Sequence, residues 1–175
     1  MDRSGWLFQQ LLKYGIRKIV DTEHYLVVDA DTILIRPQGF FAGEKSLILH
    51  SDELHKPYFD VVQRLLGFGA EILLSCVSHQ MLFSKKYLEQ MLAHIEREHG
   101  VDWETAIRNC VDYSENSGFS EYETYGQWCM TKYPDSIERE YWFNIAMPRA
   151  NLKKLDQLVE QYSNSYRSIS FHSYL

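Results

Sequence analysis

The chain has 175 residues, 45% of them apolar and 24% charged. Those proportions exclude a disordered polymer, and the length fits one core. Lys and Arg number 18 against 24 Asp and Glu, a formal net charge of −6 with no basic run. That balance argues against general nucleic-acid binding. No stretch approaches the roughly 18 consecutive apolar residues of a membrane span, and the start lacks the basic-then-apolar order of a signal peptide. Cys76, Cys110 and Cys129 are widely spaced with no CxxC pair, which fits reduced thiols in the cytoplasm.

The elements follow from apolar spacing and breakers. Trp6, Leu7, Leu11 and Leu12 give a first helix over Ser4 to Tyr14, with Gly15 as its stop. Tyr25 to Val28 is a short continuous apolar run, predicted to be a strand buried on both faces. Thr32 to Ile35 resumes a strand until Arg36-Pro37, and Ser46 to His50 reads as another. Pro57 suits the first turn of a helix running through Leu66 to Gly67. Ser75 to Phe83 reads as a strand. Lys85 to Glu98 reads as an amphipathic helix with Leu88, Met91, Leu92 and Ile95 on one face. Helices over Trp103 to Cys110 and Glu121 to Lys132 come next, then a strand over Tyr141 to Ala146. A helix over Arg149 to Tyr162 and a closing strand over Ile169 to His172 complete an α/β layer pattern in one domain, 1–175.

Tyr25 to Pro37, YLVVDADTILIRP, carries the most chemistry. If extended, it would aim Asp29 and Asp31 to one side and Ala30 to the other. Two carboxylates on one face repel each other and resist desolvation unless a cation compensates them. Mn²⁺ or Mg²⁺ does this while keeping positions open for substrate phosphates. In open α/β sheets ligands lie beyond the carboxyl ends of strands, where this pair falls. The bland reading is two solvated aspartates at a turn.

Three stretches together resemble a bacterial glycosyltransferase-like family of the GT-A fold. They are Gly5-Trp6-Leu7-Phe8-Gln9-Gln10-Leu11-Leu12-Lys13, Val28-Asp29-Ala30-Asp31-Thr32 with Arg36-Pro37, and Ser120-Glu121-Tyr122-Glu123-Thr124-Tyr125-Gly126. His79-Gln80-Met81-Leu82-Phe83 and Phe171-His172-Ser173 are consistent with it. The resemblance implies a three-layer α/β/α sandwich with a mixed sheet. It also implies transfer of a sugar from a nucleotide-diphosphate donor to a saccharide or other hydroxyl acceptor. Cell-surface polysaccharide or lipopolysaccharide synthesis and peripheral membrane contact belong to the same expectation. Only 28 residues precede Asp29, so the nucleoside-binding half usual in that fold is expected to be missing, and the chain to be either the carboxyl-terminal part of a longer domain or an unusually reduced version. The aspartate pair alone is also similar to haloacid-dehalogenase-type phosphatases, with Asp29 as nucleophile. That alternative, and a non-catalytic GT-A-like fragment, stay open.

By the resemblance, Asp29, Asp31 and His172 would hold the metal, and Glu121 or Glu123 would act as general base on the acceptor. Each has a plainer reading. Ser120-x-x-Glu123 is a capping box, and a lone histidine on an apolar strand is commonly structural. Arg3, Gln9, Gln10 and Lys13 are donor-binding candidates on or near the first helix; Gln9 and Lys13, four apart, share a face that is otherwise simply solvated. His79 is placed as a sugar-hydroxyl ligand or a core residue, and Tyr125, Trp128 and Trp142 as stacking rings or core.

Overall fold

The structure is a computed structural model and describes residues 4–173. It is an α/β protein with mixed sheets. Helix α1, Ser4–Gly15, does not end on a left-handed glycine: Gly15 keeps φ −62°, and the chain tightens into a 3₁₀ turn over Ile16–Lys18. Strand β1, His24–Val28, pairs antiparallel with β5, Gln80–Ser84, from His24↔Ser84 to Val28↔Gln80. Tyr25 and Val27 are buried while Leu26 is 38% exposed, so β1 alternates rather than burying both faces. Its only ladder among the described residues is with β5.

A second sheet is ordered β2-β8-β7. Strand β2 is Thr32–Leu34, β7 is Asn144–Pro148 and β8 is Ser168–His172. The closing strand is therefore central in its sheet, antiparallel to β2 and parallel to β7. The crossover from β7 to β8 is a 3₁₀ helix, Arg149–Lys154, and then α6, Leu155–Tyr162, where the sequence predicts one continuous helix. The third sheet is β3, Phe41–Ala42, with β4, Lys45–His50, and β6, Ile137–Tyr141. The expected single strand over Tyr141 to Ala146 is instead the end of β6 and the start of β7. Ser75 makes only an isolated bridge to Ser51 and lies outside β5.

Local signals set the remaining helices. Helix α2, Lys56–Leu66, has Pro57 in its first turn and ends at Gly67 in the left-handed region, φ 73°. Helix α3, Lys85–His99, buries Leu88, Met91, Leu92 and Ile95 and stops at Gly100 in the same way. Asp102 accepts from Thr105 N to start α4, Trp103–Cys110. Ser120 accepts from Glu123 N to start α5, Glu121–Lys132. Every residue of α5 from Glu121 to Cys129 is buried, so this helix runs through the main core with β1, β5 and the inner sides of α1 to α4 around it. A smaller core of Ile35, Met147, Leu158, Ile169 and Phe171 lies under the second sheet. Cys76, Cys110 and Cys129 are free thiols, and no helix among the described residues is long and apolar enough to cross a membrane.

Candidate functional site

At the carboxyl end of β1 the backbone turns. Asp29 N donates to His79 O at 2.9 Å, and Thr32 N donates back to Asp29 O at 3.0 Å. Asp29 to Thr32 is thus a reverse turn into β2, not the continuous strand the spacing suggested. Both carboxylates still line one cleft of about 480 Å³, because the turn projects the two side chains over the sheet end. The cleft is walled by Trp6, Gln9, Gln10 and Lys13 of α1, Phe119 to Tyr122 at the start of α5, and Arg149, Leu152 and Phe171 from the second sheet's side.

A buried charge network occupies the floor. Lys13 Nζ donates to Asp29 Oδ1 at 2.7 Å and to Glu121 Oε1 at 2.6 Å. Tyr122 OH donates to the same Asp29 oxygen at 2.8 Å, and Lys13 sits 4.2 Å from the centre of the Tyr122 ring. Tyr25 OH donates to Lys13 O and Tyr14 OH to Glu121 O, so two core tyrosines fix the backbones that carry the pair. The amide of Gln10 lies against Glu121. Turned with its nitrogen towards the carboxylate, it donates to Oε1 at 2.9 Å while its oxygen accepts from Trp6 Nε1 at 3.3 Å.

The other oxygen of Asp29 faces His79. Nδ1 stands 3.6 Å from Asp29 Oδ2, and Nε2 bonds Glu53 Oε1 at 2.8 Å. His79 holds this position from a left-handed backbone, φ 65°, uncommon for a residue with a side chain. Burial alone would lower its pKa, but Asp29 and Glu53 on either side raise it to about 9. Asp29 moves down despite its burial, held by His79 and Lys13. Burial pushes Glu121 up to about 7, with Lys13 pulling the other way. Lys13 is itself raised, since Glu121 and Asp29 outweigh its desolvation.

Asp31 is more open, its side chain 44% exposed, and Oδ2 lies 3.1 Å from His172 Nδ1. The His79 and His172 rings are 5.5 Å apart. Among the described residues, no three His, Cys, Asp or Glu side chains converge on one point. The donor chemistry nevertheless fits Mn²⁺ or Mg²⁺. Such ions are commonly held by one or two carboxylates, with waters and phosphate oxygens filling the rest. Asp31 Oδ2 and His172 Nδ1 also stand about as far apart as neighbouring ligands, ~3 Å, on an octahedral ion with bonds of about 2.1 Å.

The predicted site residues divide as follows. Asp29, Asp31, Lys13, Gln9, Gln10 and Glu121 line the cleft, and His172 touches it through Asp31. Glu123 does not. Its Oε2 accepts from Ser75 Oγ at 2.9 Å and Cys76 N at 2.8 Å, and its Oε1 accepts from Gln127 Nε2. The capping box is therefore only half made: Ser120 bonds Glu123 N, while the glutamate side chain ties down the loop at Ser75-Cys76. His79 is neither a cleft wall nor plain core but the second cation on Asp29. Tyr125, Trp128 and Trp142 are core residues. Arg3 lies outside the described residues. Sequence reasoning missed Tyr122, Glu53 and Arg149; Tyr122 was adjacent to a chosen glutamate, whereas nothing local marks Arg149.

The fold and site define an α/β protein with mixed sheets and an acidic cleft at a strand end. The model of DUF6492, a family of unknown function, matches residues 2–169, and the chain belongs to that family. No curated protein matches the chain.

Proposed function

We propose that the protein is a metal-dependent, GT-A-like glycosyltransferase that binds a nucleotide-diphosphate sugar in the Asp29–Asp31 cleft and passes the sugar to a hydroxyl acceptor. The observation that carries this reading is the pair of carboxylates on the turn after β1. They face one cleft that also holds a buried lysine, a buried glutamate and several rings. Asp31 and His172, with Asp29 beside them, would hold Mn²⁺ or Mg²⁺. When bound, the ion supplies charge stabilisation to the leaving diphosphate.

The chain's own residues do the rest. Lys13 and Arg149, both in the cleft lining, supply positive charge to phosphate oxygens. Trp6 and Tyr58, half-buried in the cleft lining, are the aromatic residues against which a sugar can stack while water is excluded. Glu121 sits in the cleft with a pKa of about 7, the range in which a carboxylate can accept a proton from an acceptor hydroxyl at neutral pH. The test is calorimetric titration of UDP, GDP and CMP with and without Mn²⁺. Metal-dependent binding of one nucleotide is expected, and Asp31→Asn should remove the metal dependence. Binding of none of the three, or accumulation of a phosphoenzyme on Asp29, overturns the reading.

A further inference from the structure

We propose that Lys13 is a built-in counter-cation on Asp29 that competes with the divalent ion, so that the cleft takes up metal weakly alone and strongly together with a diphosphate. This rests on the metal-dependent reading above and deepens it. Asp29 Oδ1 already accepts from Lys13 Nζ and Tyr122 OH at 2.7 and 2.8 Å. Its Oδ2 faces the His79 ring. The usual charge deficit of an aspartate pair is thus relieved at Asp29 by the protein itself, while Asp31 remains half open beside His172. A doubly charged ion arriving next to Asp31 meets the Lys13 ammonium across Asp29, inside a cleft where charge is poorly screened.

Glu121 gives the lysine somewhere to stay. Lys13 bridges Asp29 and Glu121, whose side chain is 2% exposed, so the ammonium can lean on Glu121 when Asp29 turns to a metal. A diphosphate entering the cleft adds negative charge that attracts both the ion and the lysine, removing their conflict. Lys13 is therefore a positioning residue that couples two ligands, and the coupling acts equally in both directions.

The experiment is a titration of Mn²⁺ followed by the electron-paramagnetic signal of the free ion. It compares the wild-type chain, Lys13→Met and Glu121→Gln, with folding checked by near-ultraviolet circular dichroism. Lys13→Met should bind Mn²⁺ alone roughly tenfold tighter than wild type, because the repelling charge is gone. Glu121→Gln leaves the lysine to Asp29 alone and should bind Mn²⁺ at least about threefold more weakly. With UDP or GDP present, wild-type Mn²⁺ affinity should rise at least about tenfold and that of Lys13→Met much less. Unchanged or weaker Mn²⁺ binding in Lys13→Met overturns the assignment. If that variant does not fold, unchanged or tighter binding in Glu121→Gln overturns it, and so does an absence of Mn²⁺ binding to wild type both without nucleotide and with UDP or GDP present. Tighter Mn²⁺ binding in Lys13→Met and weaker binding in Glu121→Gln, with no nucleotide bound by any of the three proteins, would overturn the transferase reading and the coupling to a diphosphate, and leave Lys13 standing as the counter-cation that competes with the metal.

Discussion

Two glutamates two residues apart have opposite fates, and hydrogen-bond inventory explains why. Glu121 faces a cleft and a lysine, whereas Glu123 is fully buried and accepts three hydrogen bonds, one of them from a backbone N–H at 2.8 Å. Replacing an acceptor-only carboxylate by an amide sets an NH₂ against existing donors. Glu123→Gln should therefore lower stability by about 1–3 kcal/mol in urea unfolding while leaving nucleotide affinity of the folded protein unchanged. Unaltered stability with lost affinity would return Glu123 to the site. His79 makes a pH prediction. Its pKa is raised to about 9 in the fold, above the ordinary histidine value of 6.5. A group raised on folding contributes stability that is complete below its unfolded pKa and disappears as pH rises through the folded one. His79→Gln should consequently cost on the order of 2–3 kcal/mol at pH 6, and the difference from wild type should shrink between pH 6.5 and 9. Urea midpoints for both proteins at pH 6, 8 and 9.5 check this, and a constant gap refutes it.

At the level of elements, what could be read from sequence was whatever is written locally. The apolar face of α3 and the capping box at Ser120 were legible in sequence, and α3, α4 and α5 were placed nearly to the residue. The structure adds the cap at Asp102 and the left-handed glycine at 100 that fix their ends by backbone chemistry. Features decided by distant partners were not legible. The chain leaves the β1–β5 ladder at Asp29, whose N still bonds His79 O, 50 positions away, and turns back through Thr32 N on Asp29 O; where that ladder stops is encoded by no period in the local sequence. The Lys13–Glu121 pair spans 108 positions, so the residue types of the site were readable but their wiring was not. Gly126 illustrates the same point within α5. A glycine inside a helix lowers its propensity, and its reason lies across the core: an added Cβ would stand 2.3 Å from Cys76 Sγ and 2.7 Å from Cys76 Cβ. Gly126→Ala should destabilise by about 2–3 kcal/mol despite the better helix former, because overpacking against a fixed loop outweighs propensity. Adding Cys76→Ala should recover part of that loss in thermal unfolding, since one of the two close contacts remains. Full additivity of the two changes would show that the loop moves freely.

For the molecule as a whole, the cleft matters because it is shared between two cores. Lys13, Phe119 and Tyr122 stand on or beside the main core around α5, whereas Phe171 belongs to the smaller core under the β2-β8-β7 sheet. Asp29 leaves β1 and Asp31 leads into β2, so the turn that carries both aspartates is also the hinge-like link between the two sheets. Phe171 N bonds Asp31 O at 2.8 Å, which ties the central strand β8 to that turn directly. The smaller unit has few buried apolar side chains of its own, and such a unit opens locally at a lower free energy than the main core. A ligand that bridges Asp29 and Lys13 on one side and Arg149 and Phe171 on the other stabilises only the state in which both walls are in place. In hydrogen exchange, peptides covering residues 29–34 and 168–172 should therefore slow on adding Mn²⁺ with the nucleotide that binds, by about tenfold or more when the ligand is well above its dissociation constant. Peptides of α3, which packs only its Leu88, Met91, Leu92 and Ile95 face into the main core and lines no part of the cleft, should keep their rates. Protection that appears equally in α3 would mean that the two cores open as one unit. No protection at 168–172 would mean that the ligand rests on the main core alone.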